Sequence, residues 1–461
     1  MHVTTIELYV PEPGTLLEWR TPQSTVAITE KSVASQVPPS FNQRFHLQTA
    51  ARSAERPHRP GTWLALAFDL PGRLDPVALD TTFAYWVRRH DTLRSGFRRS
   101  GDDVERFVVP TAAVTMTPGD VRHFATTGQL RAHLRARLDE VCAPLSWPGF
   151  LLAAIVRQTG FTVFCGFDHR NVDAYALAIA AHELATIYSA IRAGEAVELP
   201  PAGSFVDYCA LEHARRPPGP DDPAVARWGR LLEACGGTTP SFPLPLGVRP
   251  GNPVPQASDC RQLLDRSATE GFEALCGKLG GSVFTGVLAA TALALRRRGA
   301  GHDIRLITPM HTRTDPRWQH TLGWLTTVAP LTLCAREDRF AMALRSAVAE
   351  FRAAREAGAD RAPEVLTALG DRFRRISEDV FMVSYTDYRR LPGSEQHAPR
   401  GAQHISNVTV ADDAQFWVSR THEGLFLRAR YPDTPEARQS ITAFTETFTT
   451  IITQAHLAPT H

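Results

Sequence analysis

The stretch Phe167-Asp168-His169-Arg170-Asn171-Val172-Asp173-Ala174 joins an apolar strand to an apolar helix and places an imidazole and a carboxylate four residues apart in the connection. Upstream, residues 150–156 and 161–167 are two apolar runs on either side of Gln158-Thr159-Gly160, which predicts a β-hairpin whose second strand ends at Asp168-His169. Downstream, Leu177, Ala180, Ala181, Leu184, Ile187 and Tyr188 recur at helical spacing. The pair therefore sits in a strand-to-helix loop, where rigid scaffolds often carry reactive groups. Histidine changes charge near neutral pH, so it suits proton transfer. From these residues alone two readings stay open: a base and a carboxylate acting together, or a loop histidine followed by an aspartate that caps the helix.

Working outward, residues 62–69 (TWLALAFD) read as a strand. Asp75-Pro76 supplies an N-cap and a first-turn proline for an amphipathic helix carrying Leu79, Phe83, Trp86 and Val87. Residues 236–255 (GGTTPSFPLPLGVRPGNPVP) are too rich in proline and glycine for a regular element and form either a surface linker or a long ordered excursion. Residues 283–298 predict a helix stopped by Gly299. Strands are expected at 304–308, 325–333, 380–385, 404–410 and 424–431, with a closing helix from Glu436 to about Ala455. Irregular alternation of strands and helices, without a fixed repeat, indicates an α/β or α+β architecture. At 461 residues two lobes are expected, divided near residue 195: 1–195, carrying the His-x-x-x-Asp motif, and 196–461.

Charge is nearly balanced, with Lys+Arg 50 against Asp+Glu 48, so no global field draws the chain to nucleic acid or an anionic membrane. Seven scattered cysteines without C-x-x-C spacing argue against a disulfide framework and a zinc site. The N-terminus has no basic-then-apolar leader, and no uninterrupted apolar run is long enough for a bilayer, so a cytoplasmic protein is expected. G-x-S-x-G, H-E-x-x-H, P-loop and G-x-G-x-x-G signatures are absent, which removes the support for serine hydrolase, zincin, nucleotide triphosphatase and dinucleotide readings.

Four segments taken together resemble, in order and spacing, the condensation-domain superfamily of coenzyme A- and carrier-protein-dependent acyltransferases. Arg88-Arg89-His90-Asp91-Thr92-Leu93-Arg94-Ser95-Gly96-Phe97 looks like that family's R-H-E-x-L-R-T-x-F segment, and residues 168–174 are similar to its H-H-x-x-x-D-G motif. Thr308-Pro309-Met310-His311-Thr312-Arg313, followed by Leu322-Gly323-Trp324-Leu325-Thr326-Thr327-Val328-Ala329-Pro330-Leu331, looks like its arginine-bearing strand end and the G-[WF]-F-x-N-x-x-P-L segment. Residues 380–388 resemble a later core strand, and the likeness runs from about Ser40 to Ala455.

The resemblance implies two chloramphenicol-acetyltransferase-like lobes in a V-shaped pseudo-dimer, with a tunnel between them and a bridging segment near 322–333. It implies a free-standing condensation enzyme that transfers an acyl or aminoacyl group to an alcohol or amine. The donor would be a thioester on carrier-protein phosphopantetheine or on coenzyme A, and the product an ester or amide in natural-product biosynthesis. No bound cofactor or metal is expected, the carrier protein and the small acceptor are the expected partners, and a monomer is implied. By position His169 matches the catalytic histidine. Asp173 matches a structural aspartate that pairs with an arginine, here Arg313, whose other reading is a surface arginine beside the turn Thr314-Asp315-Pro316. Two positions depart from the pattern. Asp168 replaces the first histidine, is tolerable as a supporting residue, and as an anion is expected to raise the His169 pKa. Ala174 replaces the glycine and puts a methyl where bare backbone would admit pantetheine or an oxyanion. These departures keep open a second reading, a catalytically degenerate scaffold that binds a carrier protein or partner enzyme. Ala174, Trp324, His311, Ser406 and Asn407 are tunnel candidates, and His182 is expected on a helix face.

Overall fold

A computed structural model of the chain describes residues 1–53, 61–101, 103–358 and 361–457. Two compact units emerge. One comprises Met1–Arg215, Arg313–Leu325 and Arg390–Thr409, and the other Arg216–Thr312, Thr326–Arg389 and Val410–His461. Each unit is mixed helix and sheet around its own seven-stranded sheet. The expected linear boundary near residue 195 gives way to an interleaved division, because strand Gln403–Ser406 returns to pair with His2–Thr5 and Trp63–Pro71. Strand order in space carries no local signature, so no reading of one segment at a time reveals this return.

In the first unit the strands run His2–Thr5, Gln403–Ser406, Trp63–Pro71, Gly160–Asp168, Phe150–Val156, Gly14–Arg20 and Thr117–Phe124. The predicted hairpin is present with Phe150 opposite Phe167. Strand Gly160–Asp168 is central and buried along almost its whole length, as expected for a strand covered on both faces. On one face Phe161 and Phe167 meet Tyr188 and Trp86, from helices Ala174–Ala193 and Pro76–Arg89. On the other, Phe164 packs with Leu130, Leu134 and Leu138 of helix Thr127–Val141. Each such large side chain removed from water contributes about 1.5–3 kcal/mol. Gly166 belongs to this second face, and a Cβ there would stand 1.9 Å from Leu138 Cδ2, so only glycine admits the helix so closely.

Local chemistry sets the helix ends. Asp75 accepts from the amides of Val77 and Ala78, both at 3.0 Å, and Pro76 opens the helix, as its missing N–H permits. Helix Ala174–Ala193 stops at Gly194 in the left-handed region. By length and composition that helix is apolar enough to cross a bilayer, although His182, Glu183 and Arg192 interrupt its apolar run. Its apolarity is accounted for by burial, since Leu177, Ile179, Ala180, Leu184 and Ile187 are all enclosed in the unit.

The second sheet runs Thr326–Cys334, Asp303–His311, Met382–Asp387, Gln415–Thr421, Gly424–Pro432, Val254–Asp265 and Val410–Ala411. Residues 236–253 are an ordered excursion of this unit: Phe242 and Leu246 enter its core, and the amides of Phe242 and Gly251 donate to Asp413 and Asp412. The single strand expected at 404–410 is two strands, Gln403–Ser406 in the first sheet and Val410–Ala411 in the second. The break falls at Asn407, whose amide nitrogen donates to Gly61 O and Asp139 Oδ1. All seven cysteines are free.

Candidate active site

His169 stands at the end of the first unit's central strand, and the backbone is pinned on both sides of that end. The Asp168 amide donates to Gly149 O and the His169 amide to Thr62 O, each at 3.0 Å. After a short 3₁₀ turn, His169–Asn171, the chain enters helix Ala174–Ala193.

Asp173 caps the helix, one of the two readings left open by the sequence, and makes the arginine pair that the resemblance implies. Its Oδ1 caps the helix by accepting from the Ala176 amide at 2.8 Å. It also pairs with Arg313, Nη1 to Oδ2 at 2.9 Å and Nη2 to Oδ1 at 3.3 Å, while Oδ2 accepts from the Leu325 amide at 3.0 Å. Arg313 is buried, which disposes of the surface reading, and also donates to Thr321 O at 3.1 Å. Its guanidinium lies 4.6 Å from the centre of the Tyr175 ring. Segment Arg313–Leu325 is thereby tied to the His169 loop, and it delivers Trp324 against the imidazole: the two ring centroids are 4.0 Å apart at 31°.

Asp168 is fully buried and ionised. Burial pushes its carboxyl up, but the positive charges of His46 and Arg170, with hydrogen bonds from the His46 ring and the Arg170 amide, hold it below the ordinary range. His46 Nε2 lies 3.1 Å from both carboxylate oxygens, and the Arg170 amide donates to Oδ1 at 3.1 Å. Arg170 points back into the unit, donating to the carbonyls of Ala143, Pro144 and Ser146.

The imidazole of His169 titrates below its ordinary value. Burial is the largest cause and the charge of His46 adds to it, against the opposing pull of the residue's own carbonyl, Asp168 and Asp173. The expectation that Asp168 would raise this pKa is corrected in the net: the carboxylate does pull upward, but desolvation and His46 outweigh it. Nδ1 is enclosed and makes no regular hydrogen bond to another described residue.

Ala174 begins the helix beside this cluster and is partly buried. His311 ends strand Asp303–His311 of the second unit and is exposed. Ser406 is buried at the end of its strand, opposite Thr5 and Leu64. Asn407 donates to Gly61 O and Asp139 Oδ1 and accepts from the Val408 amide. His182 lies partly buried on the long helix, packed near Gly393. In the Arg-His-Asp segment, Arg89 and His90 both bind the buried Glu183, and Asp91 accepts from the amides of Phe205 and Val206. His46 was missed in the sequence: it lies 122 residues from Asp168, outside every motif, on the helix Phe41–Ser53 that was not predicted. Among the described residues no group of three or more His, Cys, Asp or Glu side chains is placed to hold a metal ion.

The condensation-domain family matches residues 55–461. Acyltransferase PapA3 of Mycobacterium tuberculosis is 28% identical over 469 residues, covering 97% of this chain and 95% of that protein. Trehalose-2-sulfate acyltransferase PapA2 of the same organism is 28% identical over 452 residues, covering 95% and 94%. A solved structure of PapA2 acyl transferase superposes with a TM-score of 0.90 at 26% identity, covering 99% of this chain and all of that one. The chain accordingly belongs to the condensation-domain family, as an acyltransferase.

Proposed function

We propose that this acyltransferase moves an acyl group from a phosphopantetheine thioester, on a carrier protein or coenzyme A, to a hydroxyl of a small polar acceptor, with His169 as the base. An alcohol is favoured over an amine because the relative PapA2 is named for acylating trehalose 2-sulfate. The observation that carries the reading is the state of His169: a partly buried imidazole held on a pinned loop, backed by Trp324, with its pKa lowered so that the neutral form prevails near pH 7. With one ring nitrogen engaged by the residue's own carbonyl, the other is the basic one. It takes the proton from the acceptor hydroxyl as the oxygen attacks the thioester carbonyl. The tetrahedral intermediate then expels the sulfur, which receives the same proton from the imidazolium, so the histidine ends as it began. Holding the two reactants at this base supplies much of the rate.

The test is turnover with a panel of acyl-coenzyme A and acyl-carrier donors against sugar and amine acceptors, comparing wild type with His169→Ala. Loss of about 10²–10⁴-fold is expected. Full turnover in the variant would remove His169 from the mechanism. Tight binding of a carrier protein with no turnover from any donor would support the scaffold reading instead.

A further inference from the structure

We propose that His46 is a positioning residue for His169: an imidazole supplied by helix Phe41–Ser53 that grips the Asp168 carboxylate behind the active-site loop and stands against the Trp324 indole that covers the reacting ring. The inference deepens the acyl-transfer reading, and its kinetic consequences rest on that reading.

A carboxylate at 168 is costly where it stands, because it is fully buried. Arg170 is a weak counterion, 3.8 Å away and with its donors turned to three backbone carbonyls. His46 is close and well aimed, with Nε2 3.1 Å from each oxygen. The same helix clasps the loop a second time, since Gln43 Nε2 donates to Arg170 O at 3.0 Å. His46 also meets the edge of Trp324, with centroids 6.1 Å apart, and Trp324 in turn covers His169. One imidazole thus touches both neighbours that fix the His169 ring, the residue before it in sequence and the indole over its face.

Charge follows the same geometry. The charged groups that act most on His169 are His46, Asp168 and Asp173; Arg170 stands beside Asp168, and Arg313, against the Tyr175 ring, beside Asp173. Asp173 is engaged by Arg313, and Asp168 by His46. When protonated, His46 opposes protonation of His169, whereas Asp168 and Asp173 favour it. His46 therefore offsets the upward pull of the carboxylate that precedes the base, so less of the imidazole is already protonated.

The experiment is a histidine-selective ¹⁵N NMR titration of full-length wild type, His46→Gln and Asp168→Asn, with the His169 signal assigned through His169→Ala, alongside pH profiles of kcat and KM. Glutamine keeps a donor near the Nε2 position without the charge. The His169 midpoint is expected to rise in His46→Gln and to fall further in Asp168→Asn, opposite shifts that a merely structural role would not produce. In His46→Ala, kcat should fall roughly 10- to 100-fold with a smaller change in KM, and His46→Gln should recover part of the loss. An unmoved His169 midpoint in His46→Gln overturns the proposal. Should that variant fold poorly, a midpoint in Asp168→Asn that fails to fall does the same. Opposed midpoint shifts without turnover from any donor would sink the acyl-transfer reading and leave the positioning role standing. Turnover that depends on His169, with unmoved midpoints, would do the reverse.

Discussion

Arg313 and Asp173, 140 residues apart, meet in a buried two-pronged ion pair whose carboxylate also caps a helix and receives the Leu325 amide. Three chain segments are joined at one side chain, so the pair sets where His169 and Trp324 stand. Breaking such a pair leaves a buried charge without its partner. Asp173→Ala and Arg313→Ala should each lose about 3–5 kcal/mol in urea unfolding. Asp173→Asn combined with Arg313→Met should recover part of that loss, because neither charge is then stranded.

Trp324 covers one face of the His169 ring. Trp324→Leu removes that contact, worth about 0.5–1.5 kcal/mol for an aromatic pair. A drop in kcat of up to roughly tenfold follows if the contact holds the ring in its reactive orientation. Trp324→Phe should retain most of the activity, and steady-state kinetics of the two variants distinguishes lost stacking from lost bulk.

The pH dependence of both activity and stability has a definite sign. Because His169 is depressed by burial and by His46, the acid limb of kcat/KM should lie below the ordinary histidine value of 6.5. For stability, a histidine whose folded pKa is depressed takes up its proton more readily in the unfolded chain, so stability falls as pH drops through the ordinary value. Asp168 acts in the same direction: its folded pKa is depressed, so its contribution is present above the unfolded value and is lost as pH falls through the folded one. Thermal melts from pH 8 down to pH 2 should show both losses, and His169→Gln should flatten the upper part of the curve.

Asp413, in the second unit, behaves oppositely. Burial raises its carboxyl to about 7, against the hydrogen bonds it accepts from the amides of Phe242 and Ala414. The folded protein thus holds a proton that the unfolded chain releases, and stability falls as pH rises from 3.8 through 7. Asp413→Asn keeps an acceptor for both amides and has no charge to bury. It should stabilise the protein at pH 9 by up to about 4 kcal/mol and have little effect at pH 3, below the ordinary carboxyl value, as read from melts at the two values.

The elements that were legible in the sequence share one property: their signals are local. The hairpin around Gly160, the Asp75-Pro76 helix start and the Gly299 stop each follow from a few adjacent residues, and all are present. Strand Gln403–Ser406 and the break at Asn407 were not legible, because the former's partners lie more than 300 residues away and the latter is set by bonds to Gly61 and Asp139. His46 was invisible for the same reason. Its helix is weakly patterned, and its meaning comes from a carboxylate 122 residues distant.

By itself the sequence determined the class of the protein: the spacing of His169 and Asp173, the segment that carries Arg313 and Trp324, and the strand-to-helix connection are covalent facts that survive any arrangement of the rest. Tertiary structure alone decided the electrostatic balance at the base. An aspartate next to a histidine raises its pKa when both face water. Here burial and a histidine on a distant helix reverse the outcome, because desolvation and through-space charge depend on where groups end up and not on their order along the chain.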